Sequence, residues 1–145
     1  MKRFIPLFLV TLLVAACGST ADKNEYVNSV NQAQASLTKS LTAINPAGDP
    51  TQIATELDEG GKLIDTAATD FKAITPPDDA KRAHGMIVAG LQSLAATFRD
   101  AAEAARAKDT AKLTEILSGI QTSAGAKELE AAQKELVENG YKFQS

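Results

Sequence analysis

The chain is poor in the side chains that carry chemistry: one cysteine, one histidine, no tryptophan, and aromatic residues at only 5%. With Cys17 as the lone cysteine there is no intrachain disulfide, so the folded part must be stable by packing alone. A zinc site draws on three or four His, Cys or carboxylate ligands, and His84 has no second histidine beside it. The Glu-x-x-His pairs that build di-iron centres in helical bundles are also missing. Met86 stands two residues from His84, on another side of a helix, and cannot share an axial site with it. There is no Gly-x-Gly-x-x-Gly or phosphate loop, and no serine in a nucleophile-elbow context. No run of Lys and Arg follows Arg3, which argues against nucleic acid as a partner. The expectation is a protein with no cofactor, no metal and no catalytic residues.

What the chain does have begins at its amino terminus. Met1-Lys2-Arg3 is a short positive region, and Phe4 to Ala16 is an apolar stretch of thirteen residues. That is the length of a signal-peptide core and too short for a spanning helix of about 20 residues. The stretch ends in Val14-Ala15-Ala16-Cys17, which resembles the lipobox of bacterial lipoproteins: an aliphatic residue, two small residues and the cysteine that is lipidated. The resemblance implies a diacylglyceryl group on the Cys17 sulfur, removal of residues 1–16, and a lipid-anchored protein on the extracytoplasmic face of a membrane. Gly18 rather than Asp follows the cysteine, which in a two-membrane cell favours the outer membrane. Two acyl chains anchor stably where one is marginal, at about 0.8 kcal/mol per buried CH₂.

Residues 17–21 then read as the lipidated cysteine and a short tether, and 22–145 as one domain. Loss of residues 1–16 removes Lys2 and Arg3, leaving 13 basic against 18 acidic residues, a net −5. The chain holds 26 alanines, and its later half is dominated by Ala, Leu, Lys and Glu, all good helix formers. Tyr26, Val30, Ala33, Leu37, Leu41 and Ile44 recur at threes and fours and predict a first helix, stopped by 45–50. Ile53, Leu57, Gly60, Ile64, Ala67, Phe71 and Ile74 form the stripe of a second helix, ended by Thr75-Pro76-Pro77. Gly60-Gly61 in its middle suggests close approach of a neighbouring helix, a kink, or a ligand contact.

The third stripe is the most regular: Ala80, His84, Ile87, Leu91, Leu94, Phe98, Ala101 and Ala105, capped by Asp78 or Asp79 and running to about Lys108. A fourth segment is capped by Asp109 and carries Leu113, Leu117, Ile120 and Ala124. Its phase then jumps to Leu129, Ala132 and Leu136, placing a kink or short break at Ser123-Ala124-Gly125. Four amphipathic segments with tight connections predict an all-α, antiparallel up-down-up-down four-helix bundle. The tail from Tyr141 is placed to fold back on it.

Pro76-Pro77-Asp78-Asp79-Ala80-Lys81-Arg82-Ala83-His84 is similar to the opening of the long alanine-rich helix in small surface lipoproteins common in actinomycete-type bacteria. Ala104-Ala105-Arg106-Ala107-Lys108-Asp109 and Leu136-Val137-Glu138-Asn139-Gly140-Tyr141 resemble later stretches of such chains. The resemblance implies a lipid-anchored helical domain and brings no catalytic residues.

The sequence therefore points to a non-enzymatic module of the cell envelope, held to the membrane through Cys17, that binds another envelope protein or a small apolar ligand. His84, Phe71, Gly60 and Gly61 are the candidate contacts, with a groove between the second and third helices permitted by the glycines. The alternative is a metal- or redox-handling envelope protein using His84 with nearby carboxylates. Asp58-Glu59, Asp78-Asp79 and Glu128-x-Glu130 read as solvated faces or caps rather than acid–base pairs.

Overall fold

The computed structural model describes residues 20–42 and 48–143. Val14, Ala15, Ala16 and Cys17 lie outside these residues, as does Ile44 of the first stripe. Among the described residues the chain is all-helical, without a strand, in four helical segments of which the last is broken in two. These are α1 (Thr20–Thr42), α2 (Pro50–Ala73), α3 (Lys81–Arg106), α4 (Thr110–Gly119) and α5 (Ala124–Glu138). No described helix is long and apolar enough to cross a membrane.

Local chemistry sets most of the boundaries. Asp49 opens α2 with a capping box: its carboxylate accepts from the Thr51 and Gln52 amides at 2.8 and 3.1 Å, while Gln52 Oε1 accepts from the Asp49 amide. Pro50 occupies the first helical position, where its missing N–H costs nothing. Asp109 caps α4 by accepting from the Lys112 amide at 3.0 Å. The expected cap of α3 is not made. A short 3₁₀ turn, Asp78–Ala80, leads into the helix and neither aspartate caps it. Asp78 pairs with Lys81, and Asp79 is drawn toward α1 and the carboxyl-terminal tail.

Both α3 and α5 end in Schellman turns. At the end of α3 the Asp109 amide reaches the Ala104 carbonyl and the Lys108 amide that of Ala105, with Lys108 in the left-handed region at φ 55°. At the end of α5 the Tyr141 amide reaches Leu136 and the Gly140 amide reaches Val137, with Gly140 at φ 85°. This second turn sends Tyr141 back onto the core, where it is buried.

The fourth segment is more than kinked. A 3₁₀ turn, Ile120–Thr122, closes α4, and Ser123 begins α5 anew, its hydroxyl accepting from the Ala126 amide at 3.2 Å. The restart allows α5 to lie against α3 on a different line from α4. Helix α4 itself buries no residue; Ile116 and Leu113 pack on a small cluster of Ala54, Leu57, Ala101, Ala102 and Ala105, and Leu117, expected on the inner stripe, is 41% exposed.

Helix α3 is the centre of the molecule and packs against α2, α4 and α5. It consequently buries more than one stripe: Ala83, Gly90, Ala95, Ala102 and Ala104 join the residues read from periodicity. The main core gathers Tyr26 and Val30 of α1, Ile64 and Phe71 of α2, Ile87 and Leu91 of α3, and Leu136 of α5. Leu136 is 1% exposed, and the larger Tyr26 and Tyr141 are each 2% exposed. Alanine offers little area to bury, so cohesion here depends on backbones coming close. A Cβ built on Gly90 would lie 2.9 Å from the Gly125 carbonyl oxygen, and one on Gly125 only 2.6 Å from that of Gly90. This glycine pair sets the α3–α5 spacing.

Candidate functional site

His84 sits at one end of the molecule, in the first turns of α3, and is 7% exposed. Its ring meets Tyr26 edge-on with centroids 5.8 Å apart, and Tyr26 Oη lies 3.0 Å from His84 Nδ1. A backbone hydrogen bond to Phe71, in the last turn of α2, also engages the imidazole. His84 thus meets Phe71 through the main chain, and its aromatic neighbour is Tyr26. Burial holds the His84 pKa below its usual 6.5, against the smaller upward pull of the Phe71 bond. Burial likewise pushes the Tyr26 phenol up to about 12, so it carries its proton at neutral pH. The imidazole is therefore neutral at neutral pH, and a ring that gives its one N–H to the Phe71 carbonyl leaves Nδ1 to accept from the Tyr26 hydroxyl.

A second tyrosine extends this group. Tyr141 stacks edge-on against Tyr26 at 5.6 Å, and its hydroxyl donates to Asp79 Oδ1 at 2.5 Å. Lys23 closes the ring of contacts: its ammonium lies 2.5 Å from Asp79 Oδ2, donates to the Asn139 carbonyl at 2.9 Å, and sits 4.8 Å from the centre of the Tyr141 ring. Asn139 Nδ2 donates in turn to the Asp79 carbonyl at 2.8 Å. Bonds from Lys23 and Tyr141 hold the Asp79 carboxyl below the ordinary carboxylate range. Burial and the Asp79 carboxylate raise the Tyr141 phenol still further than that of Tyr26. The whole is a clasp that joins the start of α1 to the ends of α2, α3 and α5.

The clasp went unread in the sequence because Asp79 looks like a helix cap and Tyr141 like a tail. Its one linear signal is Lys23-x-x-Tyr26, two residues that share a helix face.

The clasp offers no empty coordination position, since His84, Asp79 and Lys23 all face protein partners. Among the described residues no group of three or more His, Cys, Asp or Glu is placed to hold a metal ion. Of the carboxylates singled out by sequence, Asp58 pairs with Arg106 and Asp78 with Lys81, while Asp65 of α2, outside that set, pairs with Arg99. Arg82 grips Glu135 through two nitrogens, at 3.0 and 2.6 Å, tying α3 to α5.

The glycines are also put to use in packing. Gly60 and Gly61 are both buried in α2, and a Cβ on Gly61 would stand 3.3 Å from the Ala95 carbonyl oxygen of α3. Gly61 therefore closes the α2–α3 interface, and Gly85 faces open space. The apolar groove lies on another side, between α1 and α5. It encloses about 420 Å³ and is lined by Val30 and Leu37 of α1, Phe71 of α2, Ile87 and Leu91 of α3, and Leu129 of α5. Leu136 and Phe143 complete the apolar lining. The polar contribution is Gln34, Thr38 and Gln133; none of its described lining residues is charged. Phe71 is the one candidate contact that lines this groove, and its main chain simultaneously holds His84.

A wider depression of about 610 Å³ lies beside the clasp, between Asp22, Glu25 and Ser29 of α1 and the 74–78 connection. Tyr26 lines it from within. No protein-family model matches the chain, and no curated protein or solved structure matches it either.

Proposed function

We propose that this protein is a lipid-anchored, extracytoplasmic helical module of the cell envelope that binds a small apolar ligand and catalyses no reaction. The anchor rests on Val14-Ala15-Ala16-Cys17 and the apolar stretch before it. The binding role rests on one observation: a groove of about 420 Å³ with an apolar lining and no charge among its described residues. Its described lining residues include no histidine and no charged group, and the one histidine is turned into the clasp.

The scaffold that presents the groove is best read as an up-down-up-down bundle whose fourth member is the broken α4–α5 pair. The α2–α3 pairs Asp65–Arg99 and Asp58–Arg106 favour this arrangement: one partner's number rises as the other's falls, as in antiparallel neighbours. In this reading the clasp fastens one end of α1, and the groove is the seam left where α1 and α5 fail to meet along their length.

The anchor is tested by fractionating cells that express the native chain or Cys17→Ser. The native protein should be found with membranes and begin at a diacylglyceryl cysteine by mass spectrometry, and Cys17→Ser should be soluble or unprocessed. A Cys17→Ser variant that remains processed and membrane-bound would remove the lipid anchor from the proposal.

A further inference from the structure

We propose that Asn139-Gly140 is a site of spontaneous covalent modification, an ammonia-releasing cyclisation that the clasp holds shut and whose product loosens the clasp. Neither the groove nor the lipid anchor enters into it. The chain has five asparagines, and Asn139 is the one followed by glycine. Glu25, Ser29 and Gln32 follow Asn24, Asn28 and Asn31, and Pro46, which has no N–H, follows Asn45. A residue without a Cβ lets its amide nitrogen approach the preceding side chain with little hindrance. Here the Gly140 nitrogen attacks Cγ of Asn139. The new N–Cγ bond closes a succinimide ring, the bond from Cγ to Nδ2 breaks, and ammonia leaves with the Gly140 proton. Water then opens the ring at either carbonyl, leaving an aspartate or an isoaspartate at position 139.

Four hydrogen bonds in the folded chain oppose the first step. The Gly140 amide donates to the Val137 carbonyl at 3.0 Å, which engages the proton that the attack must shed. Asn139 Nδ2 donates to the Asp79 carbonyl at 2.8 Å, so the side-chain amide is held toward the turn before α3. The Asn139 main chain is pinned on both sides: its amide donates to Glu135 at 2.9 Å and its carbonyl accepts from Lys23 at 2.9 Å. Two of the four bonds, those to Asp79 and Lys23, belong to the clasp. Gly140 itself is exposed, so water reaches the site once these bonds open. The dipeptide lies just past α5, and opening it needs the tail and the last helical turn rather than the whole fold.

The product cannot restore what the reaction removes. Either form lacks Nδ2 and sets a carboxylate against the Asp79 carbonyl oxygen, two acceptors with no proton between them. Lys23, the cation of the clasp, is already committed to Asp79 and to the Asn139 carbonyl. Isoaspartate also adds a methylene to the main chain inside the Schellman turn. There Gly140 at φ 85° and the bond from the Tyr141 amide to Leu136 set the path of the tail. Opening permits the reaction, and the reaction favours opening, so the modification is a one-way release of Tyr141 and the residues after it.

The test holds the full-length protein in detergent at mildly alkaline pH. Peptide mapping by mass spectrometry follows the gain of about one mass unit and the isoaspartate content at position 139. The native chain should convert more slowly than the same chain in guanidinium chloride, by about tenfold or more. Cyclisation is slow beside opening and closing, so its rate follows the open population. Tyr141→Phe and Lys23→Met each remove a clasp bond and should each speed conversion about fivefold. Tyr141→Phe keeps the buried ring and serves alone if Lys23→Met fails to fold. Asp109→Ala, which uncaps α4 at the opposite end of α3, should leave the rate unchanged. Asn139→Gln should abolish the gain in mass. Asn139→Asp, which makes one product directly, should speed amide exchange at Tyr141 about tenfold. Equal rates in folded and unfolded chains, or rates indifferent to the clasp variants, would overturn protection by the clasp. A mass gain that persists in Asn139→Gln would overturn the site, and unchanged exchange in Asn139→Asp would overturn the release.

Discussion

Tyr26 Oη lies 3.0 Å from His84 Nδ1, a bond between residues 58 apart in sequence that fixes the start of α1 to the first turns of α3. Burial of the imidazole, with its pKa held below the usual 6.5, keeps the ring neutral at neutral pH.

From this follows a dependence on pH. Burial depresses the His84 pKa, so below about pH 6.5 the unfolded chain takes up a proton that the folded one resists. Stability is therefore complete above that pH and declines as pH falls toward the depressed folded value. The slope from one such group is at most about 1.4 kcal/mol per pH unit. Denaturant midpoints between pH 7.5 and 5.5 should fall for the native chain and change less for His84→Gln. Asp79, whose pKa is also lowered, adds its own loss only below its ordinary value of 3.8, so the two windows are separate.

The tail is held by polarity and by packing, and these can be told apart. Tyr141→Phe removes only the hydroxyl that donates to Asp79, a carboxylate still 40% exposed and still paired with Lys23. Its expected cost is about 1 kcal/mol. Tyr141→Ala also vacates a buried ring site and should cost about 3 kcal/mol or more. Equal losses for the two variants, measured by urea unfolding, would show that the hydroxyl alone holds the tail.

Glycine should help at one backbone position, hinder at a second and be required at two more. Lys108 adopts φ 55° in a Schellman turn, where a side chain is strained, so Lys108→Gly should stabilise by about 1 kcal/mol. Gly85 is in a helix with nothing within 4 Å of a built Cβ, and Gly85→Ala should also stabilise by about 1 kcal/mol. Gly90→Ala and Gly125→Ala, in contrast, place a methyl group against backbone and must spread α3 from α5. A loss in melting temperature at both glycines, set against gains at 85 and 108, is the expected pattern.

The restart of α5 depends on one hydroxyl. Ser123→Ala deletes the acceptor for the Ala126 amide and should cost about 1 kcal/mol, with faster amide exchange at 124–127. Unchanged exchange there would show that packing of Gly125 against Gly90 alone positions the helix start.

Residue order and periodicity were sufficient for the helical class and for most boundaries, because caps and breakers act over three or four residues: Asp109 caps α4 as its neighbours suggest, and Pro76-Pro77 follows the end of α2. The inner faces of α2 and α3 were legible for the same reason, since a helix repeats every 3.6 residues whatever it packs against. Asp79 shows where such local reasoning ends. Its position suits a cap, yet partners 56 and 62 residues away, Lys23 and Tyr141, take its carboxylate. The use of Gly90 and Gly125 as a matched pair and the seam between α1 and α5 have no local signature either. Each depends on how far apart two helices come to rest, and that distance is set by every side chain packed between them.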